Sequence, residues 1–252
     1  MTDLENVLEY LKGGSVGILE LPNANLSKAE LSNVVLSGTD MSDANLCGAN
    51  LTDSNLSGAN LSGADLTGAT LIGADLSFAN LSGANLKFIN LYGANLKNAN
   101  LYGAKSITGI FCETNLKGAN LSNAKIEQSS FLEADLNGAC LIGASVYNCG
   151  LKRANLRGAD LRDTDLTGTN FTGSNLAGAN LTRAILFMAI LTDADLTDAD
   201  LTNIILDGED LSEDFMLNEY TYSSSQNGNS SFDNIYNDDL RDRERFISDH
   251  CL

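Results

Sequence analysis

The sequence predicts an all-β solenoid, a chain wound into stacked coils around a leucine-filled interior. Three observations carry this. First, an apolar centre recurs every five residues from Leu21 to Leu211 with no slip in phase. Leucine fills 32 of these 39 centres, and Met41, Ser106, Phe111, Ile126, Phe131, Val146 and Phe171 take the others. Second, the residue two before the centre is alanine in 25 cases and Ser, Thr, Gly or Cys in most of the rest, and the residue just before the centre is Asn or Asp in 25. Third, a period of five suits no ordinary element. On a helix, successive leucines would advance about 500° and scatter over every side; on a strand, an odd period would send alternate leucines to opposite faces. The chain must therefore turn a corner at each repeat, and the Gly and Ser that follow the centres suit tight turns.

The elements follow in order. At the N-terminus Leu4, Val7, Leu8 and Leu11 fall at helical spacing, Thr2 or Asp3 stands ready to cap, and Gly13-Gly14 stops the run. This predicts a capping segment over 1–18 with an amphipathic helix at about 3–12, needed because a solenoid exposes open backbone at its ends. The repeat array occupies 19–213. A buried leucine contributes about 1.5–3 kcal/mol, so the centres together oppose the ordering entropy of a long chain. Ser106 is the polar centre and needs a hydrogen-bond partner in that interior. Residues 214–252 form a tail of another character. The final 41 residues hold nine acids, three arginines and six aromatics (Phe215, Tyr220, Tyr222, Phe232, Tyr236, Phe246), with a Ser/Asn/Gly stretch over 223–231 and a charged helical pattern at about 238–248.

Runs such as Ala-Asn-Leu-Ser-Gly (59–63), Ala-Asp-Leu-Thr-Gly (64–68) and Ala-Asn-Leu-Thr-Arg (179–183) resemble the pentapeptide-repeat family, whose pattern is A(D/N)LXX. The resemblance covers about 19–213, and Leu8 to Gly13 is similar to the leader preceding the array in cyanobacterial members. It implies a right-handed quadrilateral β-helix in which residue i lies under residue i+20, giving about ten coils. It also implies that the residue before each centre faces outward.

Composition removes most chemistry. The chain has 252 residues, no Trp and a single histidine, His250. One imidazole two residues from the end supports neither a Ser/His or Cys/His nucleophile nor a histidine-ligated metal. No catalytic, cofactor or metal site is expected. The five cysteines (47, 112, 140, 149, 251) form no CxxC pair and read as reduced structural thiols. The longest apolar run, Ala184–Leu191, is far short of the ~20 residues that span a bilayer, and no secretory signal is visible, so the expected location is cytoplasmic. With 15 Lys+Arg against 33 Asp+Glu the net charge is −18, which argues against binding nucleic acid or an anionic membrane directly.

Read as columns at 20-residue spacing, two sides are nearly uniform in Asn and Asp, and two adjacent sides are not. Segments 105–113, 125–131 and 145–150 stack their departures in successive coils, with Phe111 under Phe131. Two explanations stand: a compensated packing defect, or a partner-binding face centred on Lys105, Lys125 and Tyr147. Higher on the same sides Ile185, Phe187, Met188, Ile190 and Ile205 occupy positions expected to face out, to be covered by the tail or by a second subunit through the C-terminal region. Lys152, Arg153, Arg157 and Arg162 read as charge balance among neighbouring acids, and Asp193, Asp195, Asp198 and Asp200 as a solvated acidic corner. The functional expectation is a non-catalytic scaffold presenting a rigid surface to an unidentified protein partner. The family supplies a rival, a DNA-mimicking modulator of DNA gyrase, and a structural spacer is the third reading.

Overall fold

The computed structural model describes residues 2–13 and 19–206, with the backbone at 209–210. Helix α1, Asp3–Gly13, is followed by the repeat array, in which residue i pairs in parallel with residue i+20 at nearly every repeat, from Glu20↔Asp40 to Ile185↔Ile205. Four pentapeptides therefore make one turn. Side 1 carries centres such as Leu26, Leu86, Ser106 and Ile126. The chain then rounds onto side 2 (Phe111, Phe131), side 3 (Leu36, Leu116) and side 4 (Met41, Leu121). All four sets of centres point inward and form one core with the alanines between them.

One repeat shows why this sequence holds the shape. Asn55 N–H donates to Val34 O (2.8 Å), Leu56 N–H to Asp75 O (2.7 Å) and Gly58 N–H to Ser77 O (2.8 Å), so three amides tie the coil to those above and below. Ala59 N–H closes the corner on Leu56 O (3.0 Å). The remaining amide, Ser57 N–H, donates to Asn55 Oδ1 (3.0 Å). All five amides are satisfied, which a backbone lining a dry core requires. At every corner from Asn23 to Asn203 the residue two after the centre has φ between 50° and 69°. Where a 4→1 hydrogen bond closes the corner, as at Ala24 N–H to Leu21 O (3.1 Å), this is type II turn geometry, which favours Gly at that position and admits Pro22 just before it.

The Asn and Asp residues thus do more than face solvent. They are half-buried, and where Asn stacks on Asn or Asp the side chains chain together: Asn80 Nδ2 donates to Asn60 Oδ1 (3.1 Å), Asn100 to Asn80 (3.1 Å) and Asn120 to Asn100 (3.2 Å). Each Oδ1 accepts both this bond and the amide of its own corner.

At the lower end Thr2 and Glu5 form a reciprocal capping box: Glu5 N–H donates to Thr2 Oγ1 (3.2 Å) and Thr2 N–H to Glu5 Oε2 (2.7 Å). Val7 is buried, and Leu4 and Leu11 pack on the core. Asp3 Oδ2 accepts the edge amide of Asn25 (2.7 Å), which has no coil beneath it. At the upper end β4, Ile205–Leu206, pairs antiparallel with β5, Glu209–Asp210, so the chain doubles back above side 1. The expected tail, its aromatics and the helical pattern at 238–248 lie outside the described residues. No helix among the described residues is long and apolar enough to cross a membrane.

Candidate functional site: one side of the solenoid

The irregular segments occupy three successive coils. They are the place where pairing extends to three-residue strands: β1 Lys105–Ile107, β2 Lys125–Glu127 and β3 Ser145–Tyr147, in parallel register Lys105↔Lys125↔Ser145. Their interior is mutually compensated. Phe111 and Phe131 stack with centroids 4.5 Å apart and planes 8° from parallel. Gly109 stands where the repeat has alanine because a Cβ there would meet Phe111 Cε2 at 2.7 Å and Ile89 Cγ2 at 3.4 Å, and would press on Ser106 Oγ. Ser106 finds its partner in Leu86 O (3.1 Å), 3.4 Å from Ser129 Oγ. Ser129 Oγ accepts Gly109 N–H (3.0 Å) and donates to Glu127 O (2.9 Å). Gly109 N–H has therefore left the usual corner bond, and the chain from Lys105 to Ile107 runs extended. Cys149 donates to Ile126 O (3.3 Å), and burial pushes its thiol up to about 12.

Packing accounts for the inside of these strands but not for their outside. Each strand turns its middle residue inward and its flanks outward, so side 1 displays Lys105 and Ile107, Lys125 and Glu127, Ser145 and Tyr147. Lys105 and Lys125 are exposed directly opposite each other, an arrangement of like charges that costs stability. Neither makes an ion pair with a described residue, whereas Lys117 pairs with Asp135 (2.9 Å), Arg153 with Glu133, and Arg183 with Asp163 through two hydrogen bonds of 2.6 Å. Counting outward positions among the described residues, side 1 carries four lysines (28, 87, 105, 125) against three carboxylates (Asp65, Glu127, Asp165). On each other side the acids outnumber the bases.

The apolar residues continue the same side upward. Ile185 bridges Asp165 below and Ile205 above. Phe187 is 38% exposed, Met188 at the corner 68%, and Tyr147 40%. Ile185, Ile190 and Ile205 are half-buried. The structure thus brings Lys105, Lys125, Tyr147, Ile185, Phe187 and Ile205 onto one side, with Met188 at its edge and Ile190 round the corner on side 2.

The other candidates disperse. Lys152 and Arg153 lie on side 2, Arg157 on side 3 and Arg162 on side 4. Arg162 grips Asp160 with two bonds (2.8 and 2.6 Å), which holds the Asp160 carboxyl below the usual carboxylate range. In the acidic corner, Asp195 and Asp200 each accept the hydroxyl and amide of the Thr two residues on, and those bonds lower both carboxyls. No group of metal-ligating side chains occurs among the described residues. What sequence reasoning missed is the double duty of the Asn/Asp column. Its signal was present in the recurrent Asn-Leu-Ser/Thr triplets, where the hydroxyl returns to the same Oδ1, as Ser57 Oγ does to Asn55 (2.7 Å).

Comparison with known proteins fits this geometry. The family model described as pentapeptide repeats matches residues 21–53, 49–87, 69–105, 114–153 and 149–186. Its gap falls on the first irregular segment. Among solved structures, HetL, a pentapeptide repeat protein involved in heterocyst differentiation regulation from the cyanobacterium Nostoc sp. strain PCC 7120, is 32% identical. The match covers 84% of this chain and 100% of HetL, with TM-score 0.57. The pentapeptide repeat protein alr5209, also from Nostoc, is 40% identical over 40% of this chain and 78% of its own, with TM-score 0.36. QnrB1, a plasmid-mediated fluoroquinolone resistance protein, is 22% identical in a trypsin-treated form over 75% of this chain and 90% of its own, with TM-score 0.43. A search of curated proteins gave no match. The unbroken five-residue phase, the ladder at i+20, the family model and the HetL match make the chain a member of the pentapeptide-repeat family, a right-handed quadrilateral β-helix with relatives in cyanobacteria.

Proposed function

We propose that this protein is a non-catalytic, cytoplasmic scaffold whose side 1 binds a protein partner, and that its role is regulatory. The observation that carries this is the split between the two surfaces of β1–β3. Inside, Ser106, Gly109, Phe111, Phe131 and Cys149 each have a compensating neighbour. Outside, Lys105 and Lys125 stand opposed without an ion pair to any described residue, beside exposed Tyr147. A fold that could place Asn there, as it does at Asn85 one coil below, instead retains a repulsive pair. A rigid side loses little conformational entropy on binding, which suits recognition by a preordered surface. Similarity to HetL over its whole length supports a regulatory role. The scaffold character common in the family supports a non-catalytic one.

The test is affinity capture from a cyanobacterial lysate with the full chain and with the triple variant Lys105→Glu, Lys125→Glu, Tyr147→Ala, after thermal melts establish that both fold. A protein retained by the first and lost by the second is expected. Identical capture by both moves the site off side 1. The DNA-mimic reading draws on the net charge of −18. It predicts an effect on gyrase supercoiling at micromolar protein, where the partner reading predicts none.

A further inference from the structure

We infer that side 1 is also the docking surface of the chain's own C-terminal segment, whose carboxylates meet Lys105 and Lys125 and whose apolar residues cover Ile185, Phe187 and Ile205. This concerns the same side as the partner proposal but does not depend on it. The segment lies outside the described residues, and what argues for it is its composition, its point of attachment and its length.

Residues 212–252 hold nine acids against three arginines, and open with Ser212-Glu213-Asp214-Phe215-Met216-Leu217-Asn218-Glu219-Tyr220. Side 1 offers the complement in both respects. It displays the opposed pair Lys105 and Lys125, neither in an ion pair with a described residue, and Ile185, Phe187 and Ile205 form an apolar stretch above those lysines. Attachment favours the same side. Asp210, the last described residue, pairs antiparallel with Ile205, which stands above Ile185 on side 1. The distance is short: Ile205 stands four ladder steps above Lys125, about 19 Å at ~4.8 Å per step, which roughly six extended residues cover at ~3.3 Å each.

Charge also distinguishes this occupant from a free acidic one. A chain of net charge −18 repels an untethered acidic segment at long range. Attachment overcomes this by supplying an effective concentration on the order of millimolar, and salt screens the repulsion beyond about 8–10 Å. A tethered segment on side 1 would compete with any partner there, giving the scaffold a built-in control.

Zero-length carbodiimide cross-linking of the purified full chain, mixed as isotope-labelled and unlabelled copies, tests this. The expected result is an amide joining Lys105 or Lys125 to a carboxylate between Glu213 and Asp249 of the same molecule. In a full chain carrying Glu213→Gln, Asp214→Asn and Glu219→Gln, acetylation of Lys105 and Lys125 should accelerate at least threefold, while Lys28 and Lys97 keep their rates. Links confined to Glu127 or Asp165, links that join labelled to unlabelled copies, or unchanged acetylation would each overturn the inference. Mixed-copy links would identify a second chain as the occupant. None of these readouts needs a partner, so failure here leaves the capture experiment unaffected, and the converse holds.

Discussion

Replacing Gly109 by alanine should destabilise the protein although alanine is the residue the repeat prefers at that position. Gly109 does not have the positive φ of the corner glycines, so its reason is steric rather than conformational. An added methyl would sit 2.7 Å from Phe111 Cε2 and 3.4 Å from Ile89 Cγ2, and against Ser106 Oγ. Phe111 is fully buried and stacked on Phe131, so it has nowhere to retreat. Overpacking of this kind costs about 1–3 kcal/mol. For a chain of this size that lowers the melting temperature by about 2–4 °C per kcal/mol. Phe111→Leu alone should cost about 1–2 kcal/mol from the lost volume, with a further ~0.5–1.5 from the lost ring pair. The double variant restores the ordinary Ala-x-Leu repeat, and the two changes should then cost at least ~1 kcal/mol less together than their sum. Equilibrium denaturation of the wild type, both single variants and the double closes the cycle. Strict additivity, or a silent Gly109→Ala, would refute the account of the irregular coils as compensated packing.

Three further outcomes are expected. Lys105→Glu converts an opposed like-charge pair into an opposite one, worth about 0.2–1 kcal/mol, so the melting temperature should hold or rise slightly; a clear fall would mean that Lys105 has a structural task. Asp160, Asp195 and Asp200 are held below the ordinary carboxylate range by Arg162, Thr197 and Thr202 respectively. The stability they contribute is complete above the unfolded value near 4 and lost as pH falls through the lower folded values, so melts should be flat from pH 7 to about 5 and decline below about pH 4. Iodoacetamide at pH 8 should leave Cys149 unlabelled in the folded protein, since its thiol is pushed up to about 12, and should label half-buried Cys140 before Cys112 or Cys149, as peptide mass spectrometry would show.

Much of the fold was legible because it is a local rule repeated. An inward leucine, a small neighbour and a corner residue recur at fixed offsets, and a missing slip in phase is visible without coordinates. The stacking of Phe111 on Phe131 followed from the 20-residue coil that the family resemblance implies. The exposed pairing of Lys105 and Lys125 was legible as a column, but its meaning was not. Whether a lysine has a carboxylate within reach depends on which residues the coil brings alongside, and here neither lysine has a described partner while Lys117 and Arg153 do.

The sequence by itself determined the five-residue period and the inward leucines, since periodicity dictates which residues must share an interior, and the four-sided coil that stacks the irregular repeats came from the family resemblance. Tertiary structure alone decided three things. It separated the interior departures, which compensate one another through Ser129 Oγ and the space above Gly109, from the exterior ones, which do not. It turned the Asn/Asp columns from a display surface into ladders in which one oxygen holds its own corner and the coil above. It narrowed two patches expected on two adjacent sides to side 1, with Ile190 round the corner on side 2, and it split the basic cluster over three sides. The physical reason is common to all three: a repeat fixes the direction of each side chain, but many of its hydrogen bonds join residues 18 to 23 positions apart, and only the stacked coils bring those within ångströms of each other.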